Sequence, residues 1–149
     1  MGADMGAEVP ASQAFRAGIA ALGAGRPAQA VPLLSRALDD PDHAAWAALN
    51  LGMALQALGR LAEAVPHLQA AMAALPVHAE PAFRLGTIAG LRGDAAAATG
   101  LLRAALDHDP DHVPALAALA SLTEEAGDRA TAIALLHHAH RIDPDEPEL

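Results

Sequence analysis

Eight histidines and eighteen carboxylates among 149 residues are the side chains of this sequence best equipped for chemistry. Asp107, His108, Asp109, Asp111 and His112 spell DHDPDH, a run of imidazole and oxygen ligands. A first-row metal ion needs donors that converge from several directions, and a linear string does not supply them. Similar stretches recur as Asp39-Asp40-Pro41-Asp42-His43 and Asp143-Pro144-Asp145. The string is therefore expected to end one helix, turn at the proline and cap the next. His137 and His140, with His138 between them, share a helix face, but no HExxH motif accompanies them. His43, His78 and His112 each follow a proline by two residues, and a helix-pair spacing of ~10 Å would hold them too far apart for one ion. No metal site is expected.

Catalysis is no better served. The chain has no cysteine and no tyrosine, and its serines are Ser12, Ser35 and Ser121 alone. GxSxG, GxxxxGK[ST] and GxGxxG after a strand are all missing. The chain is expected to be no enzyme, with no catalytic residues and no cofactor. The basic residues are all arginine, and the net charge of −9 argues against nucleic acid, because neutralising phosphates needs a positive surface. Every long apolar run is broken by charge, Gly or Pro, so no membrane span is expected. The opening MGADMGAEVP lacks the basic and apolar stretches of a signal peptide. A cytoplasmic protein is the expectation.

The elements that must position any site are legible in a repeat. Gly18, Gly52 and Gly86 stand 34 residues apart, with Ala120 at the next step. Gly25, Gly59, Gly93 and Gly127 keep the same interval, as do Ala30, Ala64, Ala98 and Ala132. So do Leu34, Leu68, Leu102 and Leu136, then Ala37, Ala71, Ala105 and Ala139. Hydrophobic residues make up 53% and aromatics 2%; a core of alanine and leucine favours helix over strand. Each period reads as two helices, the first over roughly 12–24, 45–58, 79–92 and 113–126, the second over roughly 27–39, 61–74, 95–108 and 129–141. The column from Gly25 to Gly127 supplies the turn between them. Asp94 and Asp128 are placed as N-caps, and Pro27 fits a first helical position. Pro32 and Pro66 fall inside second helices, where a local bend is expected. The column from Gly18 to Ala120 is expected to face that from Ala30 to Ala132.

A 34-residue helix–turn–helix unit with these columns resembles the tetratricopeptide repeat, or TPR, family. The second unit, AALNLGMALQALGRLAEAVPHLQAAMAALP, carries the likeness most fully. The resemblance implies an all-α, right-handed α-solenoid of four TPR-like repeats, 11–44, 45–78, 79–112 and 113–146. Segment 1–10 is expected to be flexible and 147–149 to be a C-terminal tail.

The resemblance also implies a concave groove lined by the first helices. Phe15 and Phe83 occupy equivalent slots, with Trp46 near the start of the second unit. Ile19, Leu22, Leu49 and Met53 extend the patch, while packing between adjacent first helices remains the other reading of Phe15 and Phe83. In family members that clamp a C-terminal carboxylate, an Asn and an Arg stand where Asn50 and Arg84 stand here. The remaining clamp slots hold Phe15, Ile19 and Glu80, where the family uses two basic residues and another Asn. The expected partner-binding residues are Phe15, Ile19, Trp46, Leu49, Asn50, Met53, Phe83, Arg84 and Thr87. The expected function is a scaffold that binds a protein or peptide in the groove. The alternative is a recruiting or assembly segment of a larger enzyme system, such as a glycosyl- or sulfo-transferase. The second half, 75–149, is the more acidic, and a weak homodimer through the apolar C-terminal helix is expected.

Overall fold

The computed structural model describes residues 9–145. Among them are eight α-helices and no strand. Segment 1–10, apart from Val9 and Pro10, lies outside the described residues, as does the tail 147–149.

The chain divides into two compact units, Met1–Pro76 and Val77–Leu149. The first holds α1 (Ala11–Gly23), α2 (Pro27–Ala37), α3 (Ala44–Ala57) and α4 (Leu61–Ala74). The second holds α5 (Glu80–Leu91), α6 (Ala95–His108), α7 (Val113–Glu125) and α8 (Arg129–Ile142). Successive helices pair as hairpins: α1 with α2, α3 with α4, α5 with α6 and α7 with α8. Within the units α2 also packs on α3, and α6 on α7.

The turn glycines do what their column predicts. Gly25, Gly59, Gly93 and Gly127 have φ of 72°, 74°, 80° and 87°, the left-handed region that costs an L side chain steric strain. In each case the following N–H reaches back five residues, Arg26 to Ala21, Arg60 to Leu55, Asp94 to Ala89 and Asp128 to Thr123, at 2.8–2.9 Å. That is the Schellman closure of a helix end. Asp94 and Asp128 then accept from Ala97 N and Thr131 N at 3.0 and 3.1 Å, capping α6 and α8. Pro27 opens α2, and both α2 and α4 run without interruption through Pro32 and Pro66.

The close approach inside each hairpin corrects one expectation. A Cβ built on Gly18 would lie 2.7 Å from Leu34, and one on Gly52 would lie 2.5 Å from Leu68. One on Gly86 would lie 3.0 Å from Leu102. The glycine column therefore faces the leucine column, not the alanines at 30, 64 and 98. Hairpin geometry explains the shift. Antiparallel helices bring together residues equally far from the turn, and Gly52 and Leu68 each lie eight residues from Arg60, the residue after the turn glycine, whereas Ala64 lies only four away. Ala98 instead lies 3.9 Å from a Cβ placed on Gly90, nearer the turn at Gly93. Leu34 and Leu68 are wholly buried and Leu102 is 1% exposed; each such burial contributes about 1.5–3 kcal/mol. Where Ala120 replaces glycine, Leu136 is only half-buried.

Candidate partner-binding surfaces

Each unit carries a phenylalanine near the start of its first helix, and each ring is held by a histidine from the link ahead of the next repeat. In unit one the Phe15 and His43 rings stack, with centroids 4.7 Å apart and planes at 27°. His43 Nδ1 lies 2.6 Å from Asp40 Oδ2. The hydrogen bond with His43, helped by the Asp42 N–H, holds the Asp40 carboxyl below the usual range. Phe15 is half-buried against Ala14, Ala37 and Ala47.

In unit two Phe83 meets His112 at 4.9 Å, tilted by 52°. His112 uses both ring nitrogens: Nδ1 accepts from Ala115 N at 3.1 Å, and Nε2 lies 3.0 Å from Glu80 Oε2. An accepting Nδ1 leaves the proton on Nε2, where it can be donated to the carboxylate. Glu80 also accepts from Arg84 Nε at 2.8 Å, and the guanidinium sits 5.6 Å from the Phe83 ring centre, within cation–π range. Burial pushes the Glu80 carboxyl up, but the bonds from His112 and Arg84 outweigh it and hold the group below its ordinary value.

The link strings behave as turns. Asp40, Asp109 and Asp143 each accept the backbone N–H two residues on, across a proline, at 3.1, 3.1 and 3.3 Å. These are Asx turns. His138 reaches Asp111 at 3.0 Å, while His137 and His140 are exposed on α8. Among the described residues no three His, Asp or Glu side chains are grouped to hold a metal.

The expected partner-binding residues fall into distinct settings. Trp46 and Ile19 are exposed, at 39% and 37%. Met53 and Thr87 are half-buried, and Thr87 Oγ1 donates to the Arg84 carbonyl at 2.8 Å. Asn50 Nδ2 donates to the Trp46 carbonyl at 2.8 Å, and Arg84 is engaged by Glu80. Leu49 is buried, at 4% exposure, and so presents no side chain to a partner. The histidines at 43 and 112 and the carboxylate at 80 were not singled out as holding the aromatic slots. The spacing Phe15 to His43 and Phe83 to His112, 28 and 29 residues, is the trace they leave in the sequence.

A cavity of about 590 Å³ opens beside α1, lined by Val9, Ser12, Gln13, Arg16, Ala17, Ala20 and His43. None of the expected partner-binding residues lines it.

The tetratricopeptide repeat family matches residues 21–86 and 91–149. The chain belongs to that family. Solved TPR structures share its fold. MamA aligns with a TM-score of 0.80 at 20% identity, over 91% of this chain and 80% of that one. YrrB, described as a TPR protein with an unusual peptide-binding site, gives 0.75 at 24% identity, over 91% and 70%. A thermophilic TPR protein of Thermus thermophilus gives 0.76 at 21%, over 90% and 75%. No curated protein matches the chain in sequence. Among the described residues no helix of this TPR chain is long and apolar enough to cross a membrane.

Proposed function

We propose that the chain is a non-catalytic interaction module that takes a protein or peptide segment on the faces of its first helices. The observation that carries this reading is Trp46, the one tryptophan of the chain, 39% exposed beside a helix start in a molecule otherwise nearly free of aromatics. Large aromatics on accessible surfaces are the commonest anchors of protein contacts. Asn50, which donates to the Trp46 carbonyl, is its polar neighbour, and Ile19, Phe15 and Met53 are the further candidate residues of unit one. Phe83, Arg84 and Thr87 are a separate candidate set on the first helix of unit two, considered by itself. Membership of the TPR family and the peptide-binding site described for YrrB support the same reading.

Affinity capture from a lysate, with wild type and Trp46→Ala side by side, tests it. Proteins depleted about tenfold or more with the variant, while circular dichroism is unchanged, are the expected result. Equal capture by both would defeat the reading. A glycosyl- or sulfo-transferase among the depleted proteins would favour a recruiting role in a larger enzyme system.

A further inference from the structure

The last of the first helices begins unlike the others. Among the described residues, α1, α3 and α5 start without a side-chain cap, whereas the N-cap of α7 is His112, whose side chain accepts from Ala115 N. Little else in that first turn needs a partner. Pro114 has no N–H, and Leu116 N reaches the His112 carbonyl at 3.0 Å. Ala115 is wholly buried, in the core cluster with Ala82 and Leu102. Its N–H cannot turn to water unless the helix end moves, so it depends on the imidazole.

An imidazole accepts only while it is neutral. Protonation puts a hydrogen on Nδ1 and makes it a second donor, opposed to the Ala115 N–H with the two nitrogens 3.1 Å apart. The other side of the ring responds in the opposite sense. Nε2 already directs its proton to Glu80 Oε2, 3.0 Å away, and a carboxylate binds a charged donor more strongly than a neutral one. Glu80 is fixed in turn by Arg84 at 2.8 Å, and Phe83 lies against the ring. The ring is thus held from α5, and the end of α7 is what must yield.

We infer that His112 makes the start of α7 a proton-operated latch, closed while the imidazole is neutral and released when it is charged, with the ring kept on Glu80. The titratable and charged groups on the elements around it are Glu80 and Arg84 of α5, and Asp107 and His108 at the end of α6. Asp109 and Asp111 belong to the link. His138 of α8 bonds Asp111 at 3.0 Å and Arg141 at 3.2 Å. Unit one supplies the contrast. His43 stands at the N-cap of α3, but its Nδ1 lies 2.6 Å from Asp40 Oδ2, so Nδ1 carries the proton and α3 has no imidazole cap to lose. The caps of α6 and α8 are Asp94 and Asp128, a type of group that titrates well below imidazole. The latch is therefore confined to one helix end.

Nuclear magnetic resonance of the full chain at pH 8 and at pH 5 tests this, the range over which imidazoles take up a proton. At pH 8 the His112 ring is expected to show a bare Nδ1 and a protonated Nε2, and His43 the reverse. At pH 5 the exchange protection of the Ala115 amide, corrected for its intrinsic rate, is expected to fall about fivefold, the worth of an N-cap. Amides in the middle of α7 are expected to keep theirs. His112→Asn supplies a preferred cap that does not titrate, and is expected to hold Ala115 protection constant across the range. If circular dichroism shows that variant misfolded, Glu80→Gln replaces it; the release is then expected at lower pH, because the charged ring loses its carboxylate. A proton on His112 Nδ1 at pH 8 would overturn the proposal, as would Ala115 protection unchanged at pH 5. Protection lost evenly along α5 to α8 would overturn it too, since that reports unfolding of the whole unit.

Discussion

At the scale of single residues, the glycine–leucine contacts are the most demanding feature of the molecule. A methyl group at Gly52 would sit 2.5 Å from the wholly buried Leu68 side chain. Gly52→Ala therefore forces Leu68 out of its place, and overpacking of this kind costs about 1–3 kcal/mol. Gly52→Leu is expected to unfold the second repeat outright. Thermal melts of the two variants check this, and an unchanged midpoint for both would mean that the hairpin opens freely. Glu80 is the residue with a pH signature. Its carboxyl is held below the ordinary 4.5, so its contribution is present above that value and is lost as pH falls through the depressed one. Glu80→Gln removes that contribution. Between pH 6 and pH 3.5 in urea, the variant is expected to lose less stability than wild type; equal losses would show the His112 and Arg84 bonds to be without effect.

At the scale of elements, the second helices begin in two different ways. Arg26 and Arg60 stand at the starts of α2 and α4 without a side-chain cap, while Asp94 and Asp128 cap α6 and α8. The Arg60 side chain turns instead to Glu63, at 2.6 Å, an exposed pair worth little in water. An N-cap contributes about 1 kcal/mol. Arg26→Asp is accordingly expected to stabilise unit one by roughly 0.5–1 kcal/mol, and Asp94→Ala to destabilise unit two by about as much. Urea titration of both variants measures this, with near-zero shifts arguing that these ends fray regardless. Helix ends were the part of the fold most open to reading from sequence. A glycine with positive φ, an Asp cap and a proline stop act within a few residues, so the 34-residue columns located all eight helices to within about two residues. The partner across each hairpin was harder to read. Small residues at 30, 64 and 98 looked like a match for the glycines, but distance from the turn decides the pairing and selects leucine.

At the scale of the whole molecule, the candidate surface was legible as a set of slots and less so as a set of contacts. Phe15 and Phe83 fell at equivalent positions because the period demands it. That each would lie against a link histidine depends on how the following helix is entered, which no periodicity records. Leu49 shows the same limit, since one residue's displacement around a helix separates an outward side chain from a buried one. Net charge is a simpler property. With a charge of −9 and a sequence pI of about 5.1, the molecule is expected to be least soluble near pH 5, where mutual repulsion vanishes. Turbidity across pH 4–8 checks this, and a flat profile would show that repulsion does not govern its solubility.

The partly exposed Trp46 has a practical consequence. With no tyrosine in the chain, near-ultraviolet fluorescence comes almost entirely from one indole at the start of α3. Any ligand that covers this ring should shift its emission to the blue and shield it from acrylamide, so a titration needs no dye, label or engineered reporter.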